Sequence, residues 1–351
     1  MKTKILTTSE KDIREAAKII EGGGLVAFPT ETVYGLGANA LDAEAVARIY
    51  EAKGRPSDNP MIVHIARASD IGQLTPMLSE DIVKLIDNFW PGPLTMVLRK
   101  KPGVPDRTTG GLDTVAVRMP DNEAALRLIN LAGCPIAAPS ANISGRPSPT
   151  RARDVIADMD GKIDAVIAGD ECRVGIESTV LDMTGDVPTI LRPGIITAEN
   201  IEAAIDKKVK YDESLFVRPE EGDLDPDIAA AEGPAMDGAA NDFRPKAPGM
   251  KYKHYAPKAQ MTVIEGRRDK VKSEIERLKR LNERLGLKVG VILFEEKAFI
   301  EAAHDFFSRL RDLDEEGVDL ILAGALSDRD GVGFAVMNRM LKSAGYNIAR
   351  V

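Results

Sequence analysis

Four polar clusters in the N-terminal 200 residues carry groups able to do chemistry. In KGRPSDNP (53–60), Lys53 and Arg55 flank a glycine and Asn59 follows. Two cations and an amide suit a phosphate or a carboxylate. The plainer role for cations just past a helix end is to relieve its dipole. PTETVYGLG (29–37) sets a Thr-Glu-Thr run between two apolar segments and fences it with proline and glycine. Such loops often hold ligand contacts, and equally often are turns satisfied by threonine hydroxyls. PSANISGRPSPT (139–150) crowds Ser140, Asn142, Ser144 and Ser148 between prolines, after an apolar strand and before a helix. Hydroxyls, an amide and backbone N–H groups near a helix start can hold an anion, although Ser/Pro-rich loops are common. The fourth cluster is the strand arginines, Arg118 in DTVAVRM and Arg192 in PTILRP. A mid-strand arginine is rarely buried unpaired. It meets a carboxylate of its own protein or one from a ligand. Ser178, in GIESTV, is likewise polar inside an apolar strand. His64 taken alone reads first as a hydrogen-bonded core histidine.

Coincidence shifts the balance. Lys53, Arg55, Arg118 and Arg192 share one domain with an apolar sheet and few matching acids in those motifs. That composition suits a concave, electropositive pocket for a polyanion. Other signals are missing. There is no Walker loop, no H-E-x-x-H and no G-x-S-x-G elbow. Gly35-x-Gly37-x-x-Ala40 fits a relaxed dinucleotide fingerprint, but it lies seven residues beyond the strand LVAF, outside the tight strand-to-helix turn that motif requires.

The elements that must position these groups follow from periodicity. Ser9 with Asp12 is a capping signal, and Ile13, Ala16, Ala17 and Ile20 recur at helical spacing until Gly22. A second helix fits Asp42 to about Ala52, and further helices fall at 79–89, 121–132, 151–158 and 197–206. Strands are expected at 25–28, 61–66, 94–98, 113–119, 135–139, 163–168, 177–183 and 188–193. Period two puts Ile62 and His64 on one strand face, and Thr114, Ala116 and Arg118 on another. The reading is an α/β chain whose first domain, 1–206, is an α+β unit with a twisted mixed sheet, because its strands interleave too irregularly for a simple βαβ repeat. Residues 207–258 have linker composition, rich in proline, acids, alanine and glycine. Their last part, APGMKYKHYAP (247–257), is basic and aromatic. Residues 259–351 alternate strand and helix as a small Rossmann-like domain.

The chain has 351 residues, 44% hydrophobic and 29% charged, ordinary for a globular protein of about two domains. The net charge of −8 is concentrated: residues 212–242 hold ten acids and one base, a net −9, which leaves the rest near +1. An anionic ligand is therefore not excluded. No apolar run approaches the ~20 residues that span a bilayer. The N-terminus lacks an apolar signal region, and Cys134 and Cys172 are far apart. These features suggest a reducing cytoplasm.

Taken together, PTETVYGLGANA, KGRPSDNP-x-x-V-H-I, WPGPLT, GLDTVAVRMP, PIAAPSANISGRPSPT, GIESTV, LRPG, APGMKYKHYAP and GFAVMNR resemble the threonylcarbamoyl-AMP synthase family in its long two-domain form. The resemblance implies a YrdC-like catalytic fold. It implies that L-threonine, bicarbonate and ATP give threonylcarbamoyl-adenylate and pyrophosphate, with magnesium accompanying ATP. The adenylate would serve N6-threonylcarbamoylation of the adenosine beside the anticodon, through a transferase complex that acts on tRNA. By resemblance, Lys53, Arg55, Ser140 and Asn142 surround the nucleotide phosphates. Asn59, Thr114, Ala138, Ser148, Arg192 and Tyr252 are further ATP contacts, and Thr32, His64, Arg118 and Ser178 are threonine contacts. Segment 247–257 would fold over the nucleotide as a lid, or be a plain tether. Two rivals remain at this level: a non-catalytic RNA- or tRNA-binding module of the same fold, and a relative that uses carbamoyl phosphate. Near-neutral charge outside the linker speaks against strong non-specific RNA binding.

Overall fold

The structure is a computed structural model that describes residues 2–216, 255–327 and 331–351. Its first domain is built on an eleven-stranded sheet. In spatial order the strands are Lys4–Leu6, Ala165–Ile167, Val26–Phe28, Gly35–Asn39, Ile136–Ala137, Ile62–His64, Thr114–Arg118, Leu94–Arg99, Thr179–Asp182, Thr189–Arg192 and Lys210–Tyr211. Parallel and antiparallel pairs are intermixed along it, as expected for a mixed sheet. Lys210–Tyr211 pairs in parallel with Thr189–Arg192, so the sheet runs past residue 206, where the linker composition begins.

Local rules explain the helices that matter for the site. In Glu10–Glu21 the Ser9 hydroxyl accepts from Asp12 N, and Ile13, Ala16, Ala17 and Ile20 are buried. Asp42 caps Ala43–Lys53 through the amides of Glu44 and Ala45. Gly54, at φ +60°, ends that helix in the left-handed region and turns the chain so that Arg55 emerges beside the sheet.

Strand register places the chemistry. Ile62 pairs with Ala116 and His64 with Arg118. Ile62, Val97, Ala116, Val180 and Leu191 form a small aliphatic cluster. Two residues along these strands, and so on the same face, stand His64, Arg118, Thr95 and Ser178. One sheet face thus passes from apolar to polar over a single pleat. A register shift between Ile190 and Arg192 re-aims the arginine toward this polar end.

The second domain has four parallel strands in the order Val289–Ile292, Leu320–Gly324, Gln260–Glu265 and Ile348–Arg350. The last of these was not expected from the sequence; it is short and only partly buried. The two domains share a core. Val33, Ile176 and Tyr255 pack in one apolar cluster with Phe294, Phe306 and Phe307. Arg311 is buried, donates to the Pro147 carbonyl and meets Asp158 at 3.0 Å. Arg151 meets Asp312 at 2.7 Å. At the start of the linker, Phe216 stacks on Phe334 and Tyr211 meets it edge-on.

The domains approach closely at Gly175, φ +82°, where an added Cβ would lie 2.2 Å from the His304 carbonyl oxygen. Gly175→Ala should lower stability by roughly 2 kcal/mol or more, from backbone strain and lost docking together. Denaturant midpoints of the two proteins check this; equal midpoints would mean that the contact carries no weight.

Candidate active site

The polar end of the sheet opens into a cavity. Thr32, Arg55, His64, Arg118, Ala138, Ser140 and Arg192 line it, seven of the residues expected from the sequence. Three guanidinium groups from three separate stretches of chain therefore converge on one space.

The threonine-side candidates are held by a buried network. Arg118 Nε donates to the Gly92 carbonyl at 3.3 Å, and its NH1 donates to Thr32 Oγ1 at 2.9 Å. Its NH2 lies 2.6 Å from Glu31 Oε2. That contact is an ion pair without hydrogen-bond alignment, since neither Glu31 oxygen nor Arg118 NH2 has a hydrogen-bond partner among the described residues. Glu31 answers one open question: Arg118 does meet a carboxylate of its own protein. Gly92 and Thr32 use two of the five guanidinium hydrogens, so the NH1–NH2 edge keeps donors for a second carboxylate. His64 is buried, with Nδ1 3.2 Å from the Ile62 carbonyl. Burial, and then the Arg118 charge, push its pKa down to about 3. It is therefore a neutral imidazole at ordinary pH. Ser178 lies behind the cavity wall, its hydroxyl 2.8 Å from Thr95 Oγ1 and accepting from Arg192 NH2 at 3.1 Å.

Among the residues expected at the nucleotide, Arg192 Nε donates to the Ser178 carbonyl at 3.0 Å. Arg55 reaches the carbonyls of Asn59 and Pro60 at 3.3 and 3.0 Å. Ser140 donates to Asn142 Oδ1 at 2.5 Å, and the Asn142 amide ties down the Ile143 and Arg146 carbonyls. The structure departs from expectation at Lys53. Its ammonium is buried and donates to the backbone carbonyls of Ser140, at 2.6 Å, and Asn142. Burial, and secondarily Arg55, hold it well below the usual lysine range. Here Lys53 staples the Ser140–Asn142 loop and does not line the cavity.

Asn59, Thr114 and Ser148 also stand outside the cavity lining. Asn59 is buried, and its Oδ1 has no hydrogen-bond partner among the described residues. Thr114 starts the strand that ends in Arg118. Ser148 Oγ donates to Glu177 Oε1 at 2.6 Å. Tyr252 and most of the expected lid lie outside the described residues.

Sequence reading missed Glu31, Glu177 and Tyr255. The two acids sit inside motifs that were read as poor in matching acids. Glu177 lines the cavity beside Arg192 and Tyr255. Burial opposes its charge, but Arg339 and Arg192 outweigh that and hold the carboxyl below its ordinary value. Burial, followed by Glu177, pushes the Tyr255 hydroxyl up to about 12. The one available signal was the strand arginines' need for partners; it implied carboxylates without saying which.

Comparison with known proteins agrees with this geometry. Residues 18–194 match the family described as "Telomere recombination", and residues 196–345 match "Threonylcarbamoyl-AMP synthase, C-terminal domain". The threonylcarbamoyl-AMP synthase of Pyrococcus abyssi is 49% identical, over 97% of this chain and 96% of its own length. That of Bacillus subtilis is 43% identical, over 99% of this chain and 97% of its own. Among solved structures, P. abyssi Sua5 complexed with L-threonine matches with a TM-score of 0.87 at 48% identity, covering 99% of this chain and 100% of that one. The shared fold, the converging arginines and full-length similarity to these synthases place the chain in the threonylcarbamoyl-AMP synthase family.

Proposed function

We propose that the chain carries out its family's reaction in the cavity described above, making threonylcarbamoyl-adenylate and pyrophosphate from L-threonine, bicarbonate and ATP. The observation that carries this reading is the convergence of Arg55, Arg118 and Arg192 on one cavity at the polar end of the sheet. Three cations suit a triphosphate beside an amino-acid carboxylate.

Each residue has a role that its geometry allows. The NH1–NH2 edge of Arg118 takes the threonine carboxylate in a planar fork, while Glu31 and Thr32 keep the guanidinium oriented. Thr32 and neutral His64 address the hydroxyl and amine of threonine. The neutral amine nitrogen attacks carbon dioxide and a C–N bond forms; the proton that the amine loses replaces the one consumed when bicarbonate gives carbon dioxide and water. The carbamate oxygen then attacks the α-phosphorus in line, and the bond to pyrophosphate breaks with its electron pair leaving on pyrophosphate. Arg55 and Arg192 stabilise the charge that develops, and Ser140 orients the phosphates. No covalent enzyme intermediate is required. With a pKa about 3, His64 is a poor proton acceptor, so its role is hydrogen bonding and not general base catalysis. Telling threonine from serine by one methyl is worth ~1–3 kcal/mol, so discrimination is modest.

ATP is taken as its magnesium complex. Among the described residues no group of three His, Cys, Asp or Glu could hold a metal ion. Magnesium is assigned to the phosphates as part of the substrate, since ATP enters phosphoryl transfer as its metal complex. Among the described residues no helix is long and apolar enough to cross a membrane. Cys134 and Cys172 are free thiols, which suits a cytoplasmic site of action. The product is a reactive mixed anhydride, and a transferase acting on tRNA is the natural consumer. Direct tRNA contact by this chain is at most weak.

Two outcomes check this reading. In threonine-dependent pyrophosphate release, Arg55→Ala should raise KM for ATP about tenfold or more, and Arg118→Ala should do so chiefly for threonine, as expected for a lost charge-assisted hydrogen bond. Wild-type kinetics in both would place the site elsewhere. His64 gives a pH test. Between about pH 6.5 and 3 the unfolded chain binds a proton at His64 that the folded chain refuses, so stability falls as pH falls through that window. In His64→Gln, the gap between denaturant midpoints at pH 7 and about pH 4.5 should shrink; an unchanged gap would mean that the imidazole is charged in the fold.

A further inference from the structure

GFAVMNR (333–339) lies in the second domain, far in sequence from the cavity, yet its arginine reaches the cavity wall. Arg339 is 0% exposed on the helix Gly331–Ser343. Its Nε donates to Glu177 Oε2 at 3.1 Å and its NH2 to the Glu177 carbonyl at 3.4 Å. Its NH1 donates to the Pro193 carbonyl, and to Ala335 O at 3.2 Å. Glu177 stands just before the strand Thr179–Asp182, and Pro193 just after Thr189–Arg192. One guanidinium thus holds the ends of both strands that frame this side of the cavity.

The charge balance explains why such a group is needed. A carboxylate facing a triphosphate repels it unless a cation neutralises it. Glu177 faces the cavity beside Arg192, and the Tyr255 hydroxyl hydrogen-bonds the Glu177 carboxylate. Arg339 supplies the compensating charge from behind, where it costs no cavity space. It leaves Glu177 free to accept from Ser148 and Tyr255 and to shape the wall around Arg192. Nearby Lys342 shows how rich in cations this corner is: burial, then Arg339 and Arg192, push it down to about 7. The threonine side has separate supports. Arg118 is held by Glu31, Thr32 and Gly92, whereas Arg339 bonds to Glu177, Pro193 and Ala335.

We infer that Arg339 is a positioning residue for the nucleotide half of the site: acting through Glu177, it sets the charge and placement of the Arg192–Tyr255 wall, which makes the C-terminal domain a working part of the adenylating centre. This rests on the reading of the cavity as the ATP and threonine site.

The test uses the full-length chain with Arg339→Lys, Arg339→Gln, Glu177→Gln and the double variant Glu177→Gln/Arg339→Gln. KM for ATP, KM for threonine and kcat are read from pyrophosphate release, with melting temperatures alongside. Arg339→Gln should raise KM for ATP about tenfold, the scale of one charged hydrogen bond, and leave threonine KM within about twofold. Arg339→Lys should recover part of the loss. The double variant should be no worse than Arg339→Gln, because the carboxylate then needs no counter-ion. A wild-type ATP KM in Arg339→Gln, strictly additive losses in the double variant, or both KM values shifting together with melting temperature would each overturn the inference. Should neither arginine variant fold, Glu177→Gln decides: a changed ATP KM with an intact threonine KM upholds it, and an unchanged ATP KM sinks it. Threonine-dependent turnover by the unmodified chain tests the underlying reading separately.

Discussion

Guanidinium groups taken out of water must be neutralised, and the architecture of this protein is organised around that requirement. Arg118 and Arg192 are 3% and 6% exposed at the end of an otherwise aliphatic sheet face. Losing one partner of a buried ion pair costs about 3–5 kcal/mol. Each arginine therefore has a carboxylate close by: Glu31 beside Arg118, and Glu177 beside Arg192. Glu177 is in turn held by the Ser148 hydroxyl and by a third buried arginine, Arg339, from the second domain. The result is a cavity whose cations are fixed before any substrate arrives. Fixed charge of that kind lowers the reorganisation needed when new charge develops during reaction.

Much of this was legible in the sequence. Period two set His64 on a face with Ile62 in one strand and Arg118 on a face with Ala116 in another, and the register of the strands joined the two faces. Helix caps at Ser9 and Asp42 were readable because their geometry is local. Other features escaped for physical reasons. The strand Gly35–Asn39 hid within a glycine-rich motif, where glycine is favoured by packing: at Gly37 an added Cβ would lie 2.7 Å from both Ile136 and Phe28 side-chain atoms. Lys53 carried a cation signature, yet its fate depended on a loop more than eighty residues away in sequence. Its residue type gave the charge but not the direction in which the side chain points.

Glu31 and Glu177 show the limit most clearly. Both were present in motifs already singled out, and both were passed over because a lone acid beside threonine or serine resembles a turn residue. Pairing is a property of the folded topology. Glu31 finds Arg118 across 87 positions of chain, and Glu177 finds Arg339 across 162. No window of sequence contains such a pair. The same holds for the boundary between domains. Composition changes at about residue 206, whereas the sheet continues to Tyr211 and aromatic rings carry the chain onto the second domain.

The shared apolar cluster has a consequence of its own. Val33, from the loop that carries Thr32, packs among phenylalanines contributed by the other half of the polypeptide. Severing the halves would leave that oily surface bare and undo the wall of the cavity at the same stroke. Apolar surface shared in this way couples the melting of the two halves.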